Sequence, residues 1–415
     1  MKQNILIEDY DYALPNERIA HYPLTERDAS KLLVYKSGRI EEDTFYHLPH
    51  HLPPGATLVL NNTRVIEARL HFTKPTGGVI EIFCLEPYQP AAIVQAMENT
   101  SSVQWRCLIG GASKWKPGQI LQKPFNLEGT AITLKAQYIA KEEDAFIIEF
   151  TWDGGYPFAE VLHVVGAMPL PPYIKRKAES TDAARYQTVF AEHNGSVAAP
   201  TAALHFTERV FQSLDAKNIQ RQFVTLHVGA GTFKPVKTET IAEHNMHAEA
   251  FSVTAATLQA LMEAQTIVAV GTTSLRTLES LHWLGVKRLL NNALQDFVLE
   301  QWEAYDLAAH GFTYKQSLQA LYNYIQQSGQ EQLWCRTSLL IMPGYTFQSA
   351  KALVTNFHQP RSTLLLLVAA FVGNDWKKIY DHALQNEYRF LSYGDSSLLW
   401  QGPSPSLPEG KGSGQ

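Results

Sequence analysis

Short apolar runs that alternate with polar residues fill the chain from about 68 to 158. The probable strands in this region are 78–86, 105–109, 131–135 and 146–150. Turn residues such as Gly110 and Gly111 separate them at fairly regular intervals, which is typical of a small β-barrel or sandwich. No segment of useful length has the helical period. The pattern predicts a small all-β (barrel) domain at 68–158, inserted into a larger domain made of residues 1–67 and 159–401.

The larger domain shows a different pattern, in which strand, polar loop and helix repeat. The probable strands are 31–35, 57–60, 196–199, 221–228, 266–270 and 339–342. Thr207 is a good N-cap for a helix that runs to Lys217, and a second helix follows Gly271. Strands that alternate with helices imply a largely parallel sheet. We therefore expect an α/β fold with a barrel-like α/β major domain.

Two segments fit neither pattern as clearly. Residues 288–336 are predicted to be mainly helical, with an amphipathic stretch at 318–327. The tail 402–415 consists largely of Pro, Gly and Ser. It cannot bury apolar surface and is predicted to be disordered.

The stretch from Arg185 to Glu249 combines ionisable side chains with Gly and Ala, which a ligand cleft requires more than a core does. Its candidate residues are Arg185, Tyr186, Gln187, Thr201, His205, His227, Gly229, Gly231, Thr232, His244, His247 and Glu249. In α/β folds the site lies at the carboxyl ends of the strands. We therefore expect one cleft assembled from four or five loops.

The sharpest local cluster is His244, His247 and Glu249. On a helix, residues at i and i+3 share a face, so the two histidines are compatible with a metal site, to which His227 could add a ligand. The alternatives are structural or capping roles, and ligand contact or proton transfer. His205 and His227 can equally be core histidines with satisfied hydrogen bonds.

Two loops have features of anion-binding sites. The sequence Gly-Ala-Gly at 229–231 lacks the remaining glycine of a dinucleotide fingerprint, but it can present backbone N–H groups to a ligand. Residues 271–276 open a helix, whose free N–H groups favour an anionic group. Equally, Thr273 or Ser274 can be an ordinary N-cap, and Arg276 with Glu279 can form a surface pair.

Composition narrows the class of protein. The chain has 415 residues, a formal net charge of −5, 45% hydrophobic residues and three cysteines that lie far apart. Neither a disulfide framework nor a zinc site is indicated. The longest apolar run, 364–372, is too short to span a membrane, and the first residues become acidic at Glu8 before an apolar segment can form, so we expect no membrane span and no secretory signal. We expect a soluble cytoplasmic protein.

The sequence contains neither a serine nucleophile elbow nor a Walker motif, so a triad hydrolase and a P-loop protein both lose support.

Motifs along nearly the whole chain resemble one family, the S-adenosylmethionine:tRNA ribosyltransferase-isomerases of queuosine biosynthesis. They include Pro-Leu-Thr-Glu-Arg-Asp at 23–28, Asn-Asn-Thr-Arg at 61–64, Met-Pro-Leu-Pro-Pro-Tyr-Ile at 168–174, Arg-Tyr-Gln-Thr-Val at 185–189, Gly-Thr-Thr-Ser-Leu-Arg at 271–276, Pro-Gly-Tyr at 343–345 and Thr-Asn-Phe-His at 355–358. Each motif alone is modest evidence, but their order along the chain is specific.

The resemblance implies a reaction and a fold. The family moves the ribosyl part of S-adenosylmethionine onto the aminomethyl group of 7-aminomethyl-7-deazaguanine at the tRNA wobble position. Isomerisation gives epoxyqueuosine, and adenine and methionine are released. An α/β barrel-like domain with a smaller β-barrel domain is implied. No metal, and no cofactor beyond S-adenosylmethionine as substrate, is implied. The expected partners are this tRNA and S-adenosylmethionine; a monomer is favoured.

The reaction assigns roles to the candidates. It needs a base near the sulfonium and an acid toward the departing adenine. The candidates for proton transfer are His205, His227, His244, His247 and Glu249. The candidates for substrate binding are Arg185, Tyr186, Gln187, Thr201, Gly229, Gly231, Thr232, Thr272, Thr273, Ser274, Arg276, Asn356 and His358. The candidates for tRNA phosphate contacts are Arg27, Arg64, Arg69, Lys175 and Arg176.

Three positions depart from the family's pattern: Ala203 replaces Gly, Ser338 replaces Asp and Gln359 replaces Leu. They raise the chance of a paralogue with shifted substrate. The competing hypotheses are a tRNA-binding protein that has lost turnover and, from the histidine cluster alone, a metal-dependent hydrolase.

Overall fold

The computed structural model describes residues 5–116, 118–142, 145–229, 236 and 238–402. Gly231 and Thr232 lie outside the described residues, as does the predicted disordered tail from residue 403 onward. The chain divides into two compact units. Unit 1 consists of Met1–Asn61, Thr201–Leu226 and Lys234–Gln415, and unit 2 consists of Asn62–Pro200 and His227–Phe233. The predicted domain boundaries near 67 and 158 stay a prediction.

Both α-helices and β-strands are present, as predicted. The strands are β1 (Lys31–Lys36), β2 (Arg39–Thr44), β3 (Thr57–Asn61), β4 (Thr63–Val65), β5 (Arg69–Thr73), β6 (Val79–Gln89), β7 (Ser102–Gly110), β8 (Ile120–Leu127), β9 (Thr130–Glu142), β10 (Ala145–Thr151), β11 (Gly166–Ala167), β12 (His193–Ser196), β13 (Gln220–Leu226), β14 (Glu249–Thr254), β15 (Ile267–Val270), β16 (Val298–Leu299), β17 (Gln332–Thr337), β18 (Ala352–Asn356) and β19 (Ser396–Trp400). The helices are α1 (Ile93–Glu98), α2 (Phe158–Val165), α3 (Asp182–Arg185), α4 (Glu208–Ala216), α5 (Ala255–Glu263), α6 (Thr272–Leu290), α7 (Glu303–Leu307), α8 (Tyr314–Ser328), α9 (Thr363–Val372) and α10 (Trp376–Gln385).

Unit 1 contains a ten-stranded sheet in the order β16-β17-β14-β13-β3-β15-β18-β19-β1-β2. Its centre, β13-β3-β15-β18, is parallel. Strands β3, β15 and β18 are buried along their whole length, as expected for parallel strands covered on both faces. Antiparallel pairs lie on both sides of this centre, at β13-β14 and β18-β19. The mixed α/β class is confirmed, but the sheet as a whole is mixed: β1-β19 and β16-β17 are also parallel, and antiparallel pairs separate them from the parallel centre.

The predicted strand at 339–342 is wrong. Strand β17 ends at Thr337, and the buried residues after it form no strand. Their backbone groups bond elsewhere: Tyr305 Oη donates to Leu340 O (3.0 Å), and Met342 N donates to Tyr305 Oη (3.3 Å). The apolar run at 339–342 reflects burial, which a loop satisfies here with a tyrosine hydroxyl instead of a neighbouring strand.

Helix α4 has the predicted bounds, but not the predicted cap. Thr207 occupies the N-cap position and makes no side-chain bond to the helix. Its hydroxyl donates to Asp28 Oδ2, and Arg209 also bonds this fully buried carboxylate. The hydrogen bonds from Arg209 and Thr207 outweigh burial, which opposes ionisation, and they lower the pKa of Asp28. The start of α4 is therefore tied to residue 28.

Helix α8 lies in the segment 288–336 that was predicted to be mainly helical, and it packs closely against α6. A capping box begins α8, in which Thr313 and Gln316 bond each other's backbone. A Cβ added to Gly285 of α6 would overlap the backbone of Ser317 in α8. The two helices therefore approach as closely as they do because residue 285 has no side chain.

Substitution of Gly285 by alanine is expected to lower the free energy of unfolding by roughly 2 kcal/mol. Alanine gains about 1 kcal/mol in helix propensity over glycine, but the backbone of Ser317 cannot rotate away from the new methyl group. Chemical denaturation measures the difference. The control Leu290→Ala, at an exposed position of the same helix, should change stability by less than about 0.5 kcal/mol. A Gly285→Ala variant at least as stable as the parent would contradict this packing.

Unit 2 contains a seven-stranded antiparallel sheet in the order β11-β5-β6-β7-β10-β9-β8. The predicted all-β character of this region is confirmed: β7, β9 and β10 include the predicted strands 105–109, 131–135 and 146–150, and β6 begins one residue after the start of the predicted strand 78–86. The periodicity missed β5 and β8, and the short helix α1 interrupts the strands. The inner face buries Trp105, Phe150 and Phe158 completely. A two-stranded parallel pair, β12 with β4, completes the unit.

Within the described residues no helix is long and apolar enough to cross a membrane. All three cysteines are free and buried.

Candidate active site

In unit 1 the candidate residues lie where central parallel strands end. Gly271 directly follows β15, and Asn356 is the last residue of the neighbouring strand β18. Gly271 N donates to Val354 O (2.8 Å), which holds the two strand ends together. Ligands of α/β folds bind at this edge. The helix start at 272 and the loop at 356–358 therefore belong to one candidate site.

A chain of hydrogen bonds passes through His205 at this edge. Thr201 Oγ1 donates to Asn356 Oδ1 (2.8 Å), and Asn356 Nδ2 lies 3.4 Å from His205 Nε2. On the other side of the ring, His205 Nδ1 lies 2.9 Å from Ser30 Oγ and 3.3 Å from Arg27 O. A backbone carbonyl only accepts, so Nδ1 carries the hydrogen and Nε2 keeps its lone pair. Thr201, His205 and Asn356 are thus brought together as predicted.

The imidazole of His205 is neutral at physiological pH. Burial lowers its pKa to about 4, although the hydrogen bond to Arg27 O acts in the opposite direction. The centroid of the Phe45 ring lies 5.1 Å from that of the imidazole, and His205 is only 5% exposed. A neutral imidazole of fixed tautomer, with Nε2 toward Asn356, can accept a proton.

The start of α6 adjoins this network. The ideal Cβ position of its N-cap residue Gly271 (φ +89°) is 3.7 Å from Ala202 Cβ, in the segment that carries Thr201. Neither Thr273 Oγ1 nor Ser274 Oγ caps the helix, which contradicts the alternative that one of them is an ordinary N-cap. Both atoms are buried and have no hydrogen-bond partner among the described residues. The first turn of α6 thus presents hydroxyl groups that the helix itself does not use.

Arg276 and Glu249 form a buried ion pair, and both are 8% exposed. The alternative that Arg276 and Glu279 form a surface pair is therefore contradicted. Burial lowers the pKa of Arg276 to about 10, which leaves it charged at neutral pH. Glu279 is completely buried too, and its carboxylate accepts hydrogen bonds from Tyr345 Oη (2.8 Å) and Ser349 N (2.9 Å).

The two histidines of the 244–249 cluster do not share a helix face. A short 3-10 helix, Ile241–Glu243, ends before them, and residues 244–248, up to β14, form neither helix nor strand. Gln301 holds this loop, because its Nε2 donates to His244 O (2.6 Å) and its Oε1 accepts from Met246 N (2.9 Å). His247 is exposed, while burial and then the charge of His247 lower the pKa of His244. The described residues include no group of three or more potential metal ligands.

His358 has a structural environment. Its Nε2 lies 2.8 Å from Thr355 Oγ1, its backbone N donates to Tyr380 Oη (3.0 Å), and its carbonyl accepts from Tyr12. Burial lowers the pKa of its imidazole to about 3. It fixes the loop after β18, next to Asn356.

Unit 2 holds a second cluster, around His227. Its Nδ1 lies 3.0 Å from Thr63 Oγ1, and burial, followed by the charge of His193, lowers its pKa to about 4. A Cβ on Gly195 (φ +147°) would stand 2.8 Å from His227 Nδ1 and 2.6 Å from Ile93 Cγ1. Only glycine allows this approach of the backbone to the ring.

Substitution of Gly195 by alanine is expected to displace the His227 ring and to destabilise the protein by about 1–3 kcal/mol. The imidazole resonances of His227 in an NMR pH titration report the displacement, and chemical denaturation reports the stability. Gly78→Ala, at a position of unit 2 with no atom within 4 Å of the new methyl group, is the control. Unchanged His227 resonances in Gly195→Ala would show that the contact is absent in solution.

Gln187 in the same unit already has partners. Its Oε1 accepts from Val65 N (3.0 Å) and its Nε2 donates to Val65 O (3.1 Å). Tyr186 is fully buried, and Arg185 is half-buried at the end of α3. Gly229 is the last described residue of its loop. The side chain of Gln187 therefore fixes β4.

The candidate tRNA contacts differ in how far their charges are compensated. Arg176 makes two hydrogen bonds to buried Asp182 (2.6 and 2.8 Å), and Arg69 pairs with Glu81 (2.5 Å). Arg64 is exposed and donates to Ala191 O (2.6 Å), Lys175 is exposed, and Arg27 is half-buried.

The sequence reasoning missed Asp395 and Arg389. Asp395 is 2% exposed and accepts from Lys31 N (3.1 Å), Arg389 N (2.7 Å) and Arg389 Nη2 (3.0 Å). Leu391 between them has φ +70°, a backbone conformation that is unusual for a leucine. The charges of Asp395 and Arg389 act on His205 in opposite directions. In the sequence, Gly394 and Asp395 directly precede the buried strand β19, and this pair could have indicated the buried carboxylate.

The departures from the family pattern have ordinary environments. Ser338 Oγ donates to Leu299 O (3.3 Å), which a carboxylate could not do. Ala203 is buried, and Gln359 O accepts from Ser362, the N-cap of α9.

Comparison with known proteins identifies the family of this chain. The family model described as "Queuosine biosynthesis protein" matches residues 7–399. A Pelobacter propionicus protein named S-adenosylmethionine:tRNA ribosyltransferase-isomerase is 38% identical over 402 residues, which are 95% of this chain and 100% of that protein. A crystal structure of S-adenosylmethionine tRNA ribosyltransferase from Thermotoga maritima is 29% identical, covers 94% of this chain and 99% of its own, and has a TM-score of 0.44. The chain belongs to the queuosine biosynthesis protein family.

Proposed function

We propose that this chain is an S-adenosylmethionine:tRNA ribosyltransferase-isomerase. It transfers the ribosyl moiety of S-adenosylmethionine to the 7-aminomethyl-7-deazaguanine base at the tRNA wobble position and isomerises it to epoxyqueuosine. Adenine and methionine are the other products. The observation that carries the proposal is the relative of this name, 38% identical over its entire length.

His205 is the proton acceptor in this proposal. The positive sulfonium makes the adjacent ribose carbon acidic, so a neutral imidazole is a sufficient base. Arg27 O and Ser30 orient Nδ1 of His205, which leaves the lone pair of Nε2 for the proton. Asn356, bonded to Nε2, moves aside or bonds the substrate hydroxyls when the substrate binds.

Two groups of residues complete the proposed assignments. His227, neutral and oriented by Thr63, is the alternative proton acceptor. For tRNA phosphates we favour Arg64 and Lys175, because both are exposed, whereas the charges of Arg69 and Arg176 are compensated by carboxylates. S-adenosylmethionine is a substrate, and the proposal requires no further cofactor. A cytoplasmic monomer is the form in which we expect the enzyme to act on tRNA.

Adenine release tests the proposal. The purified protein is incubated with S-adenosylmethionine and with tRNA that carries 7-aminomethyl-7-deazaguanine at the wobble position, and adenine is quantified by chromatography. The same tRNA with guanine at this position is the control. We expect adenine only with the modified tRNA. Binding of the modified tRNA without any adenine would instead support a tRNA-binding protein that has lost turnover.

A further inference from the structure

Residues 273–276, at the start of α6, carry buried polar atoms that lack a hydrogen-bond partner among the described residues. These atoms are Thr273 Oγ1, Ser274 Oγ and Arg276 Nε, and none of them donates or accepts a hydrogen bond within the described part of the chain. Ser274 is completely buried, and Arg276 is 8% exposed. Buried polar groups of folded proteins are almost always paired. Unpartnered groups that lie together on one helix turn therefore indicate that a ligand completes their hydrogen bonds.

The Thr273 hydroxyl lies at the N-terminal end of the helix. Side chains of an α-helix tilt toward its N-terminus, and Thr273 Oγ1 lies 3.5 Å from the ideal Cβ position of the N-cap residue Gly271. The N–H groups of the first turn point the same way and lack partners within the helix. Together with the helix dipole they favour an anionic oxygen, of which a carboxylate is one.

The ion pair between Arg276 and Glu249, beside this turn, restricts the chemical class of the ligand. Arg276 adds a positive charge, but Glu249, in contact with it, places a negative charge at the same point. A phosphate or an inorganic anion would be repelled by Glu249. A zwitterion that carries a carboxylate and an ammonium group on one carbon matches both charges, because each can pair with the opposite charge of the protein.

We propose that the start of α6, together with Glu249 and Arg276, binds the amino-acid end of S-adenosylmethionine. The α-carboxylate accepts from the first-turn N–H groups, the Ser274 hydroxyl and Arg276. The α-ammonium donates to Glu249. This inference rests on the proposed function, since it takes S-adenosylmethionine as the substrate.

Substitution of Ser274 by alanine separates binding from folding. The variant loses a hydrogen bond to a carboxylate, so the KM for S-adenosylmethionine is expected to rise about 10-fold. Because an unpaired buried hydroxyl is removed, the Tm should stay the same or rise. The control is Ser280→Ala on the same helix, whose hydroxyl bonds Arg276 O (2.7 Å) and Thr337 Oγ1 (2.8 Å). It should lower the Tm and leave the KM within about threefold.

A substrate analogue tests the carboxylate itself. Decarboxylated S-adenosylmethionine should have a KM more than 10-fold above that of S-adenosylmethionine with the parent protein. In Ser274→Ala this ratio should shrink, because one of the groups that recognises the carboxylate is gone. Equal KM values for both substrates in the parent, or an unchanged ratio in Ser274→Ala, would overturn the inference.

Calorimetric measurement of L-methionine binding tests the inference without requiring catalytic turnover. The parent protein should bind L-methionine at least 10-fold more tightly than 3-(methylthio)propylamine, which lacks the carboxylate, and Ser274→Ala should lose this preference. Equal binding of the two compounds by the parent would refute the inference. If the parent released no adenine, the proposed function would fail while the calorimetric comparison would still stand.

Discussion

Replacing His205 with alanine is expected to lower kcat for adenine release by about 10²–10⁴-fold, the usual contribution of a general base. The imidazole is neutral, its Nδ1 is held by Arg27 O and Ser30, and Nε2 lies 3.4 Å from Asn356 Nδ2. Alanine removes the lone pair without adding charge. Single-turnover kinetics with saturating modified tRNA measures the loss in the chemical step.

Matched variants show whether the loss is specific to the base. His163 is mainly exposed and pairs with Glu67, so His163→Ala should retain kcat. His205→Ala must keep the circular dichroism spectrum of the parent, because the residue is buried. A kcat within about threefold of the parent, in a folded His205→Ala protein, would exclude His205 as the base. The same loss in His227→Ala alone would transfer the role to that residue.

Replacing Glu279 with alanine is expected to cost about 4 kcal/mol of unfolding free energy. The carboxylate accepts from Tyr345 Oη, from the backbone N atoms of Gln348 and Ser349, and from the Ser349 hydroxyl. Alanine leaves all these donors buried without a partner. Chemical denaturation of the variant and the parent measures the difference.

Two comparisons make the Glu279 prediction specific. Glu263→Ala, at an exposed position of α5, should change stability by less than about 0.5 kcal/mol. Burial raises the pKa of Glu279 in the folded protein, despite its hydrogen bonds. The part of the stability that comes from this raised pKa is therefore fully present below the pKa of the unfolded state and is lost as pH rises through the folded value. Glu279→Gln should lack this part of the pH dependence. A Glu279→Ala protein as stable as the parent would refute the role of the carboxylate.

Local patterns predicted the elements around the site with useful accuracy. The alternation at 221–228 and the apolar run at 266–270 correspond to β13 and β15. The small residues after β15 correctly indicated that a helix begins at the strand end. These features depend on near neighbours in the chain, which sequence periodicity reports directly.

Local sequence patterns could not predict contacts between segments that lie far apart in the chain. Arg276 pairs with Glu249 of β14, whereas spacing suggested Glu279, one turn away. His244 and His247 suggested a helix face because i and i+3 spacing has meaning only once a helix is assumed. The burial of Asp395 beside Arg389 likewise follows from the return of the chain to the sheet at β19. Tertiary packing, which local propensity does not report, decided each case.

Transfer of the ribose carbons is the most direct test of the central claim. S-adenosylmethionine with all five ribose carbons labelled with ¹³C is supplied with the modified tRNA, and the wobble nucleoside is analysed by mass spectrometry after digestion. If the chain is the ribosyltransferase-isomerase, the nucleoside gains the complete labelled five-carbon unit, and unlabelled adenine appears in equal amount. A wobble nucleoside that stays unchanged, in tRNA that the protein binds, would contradict the account.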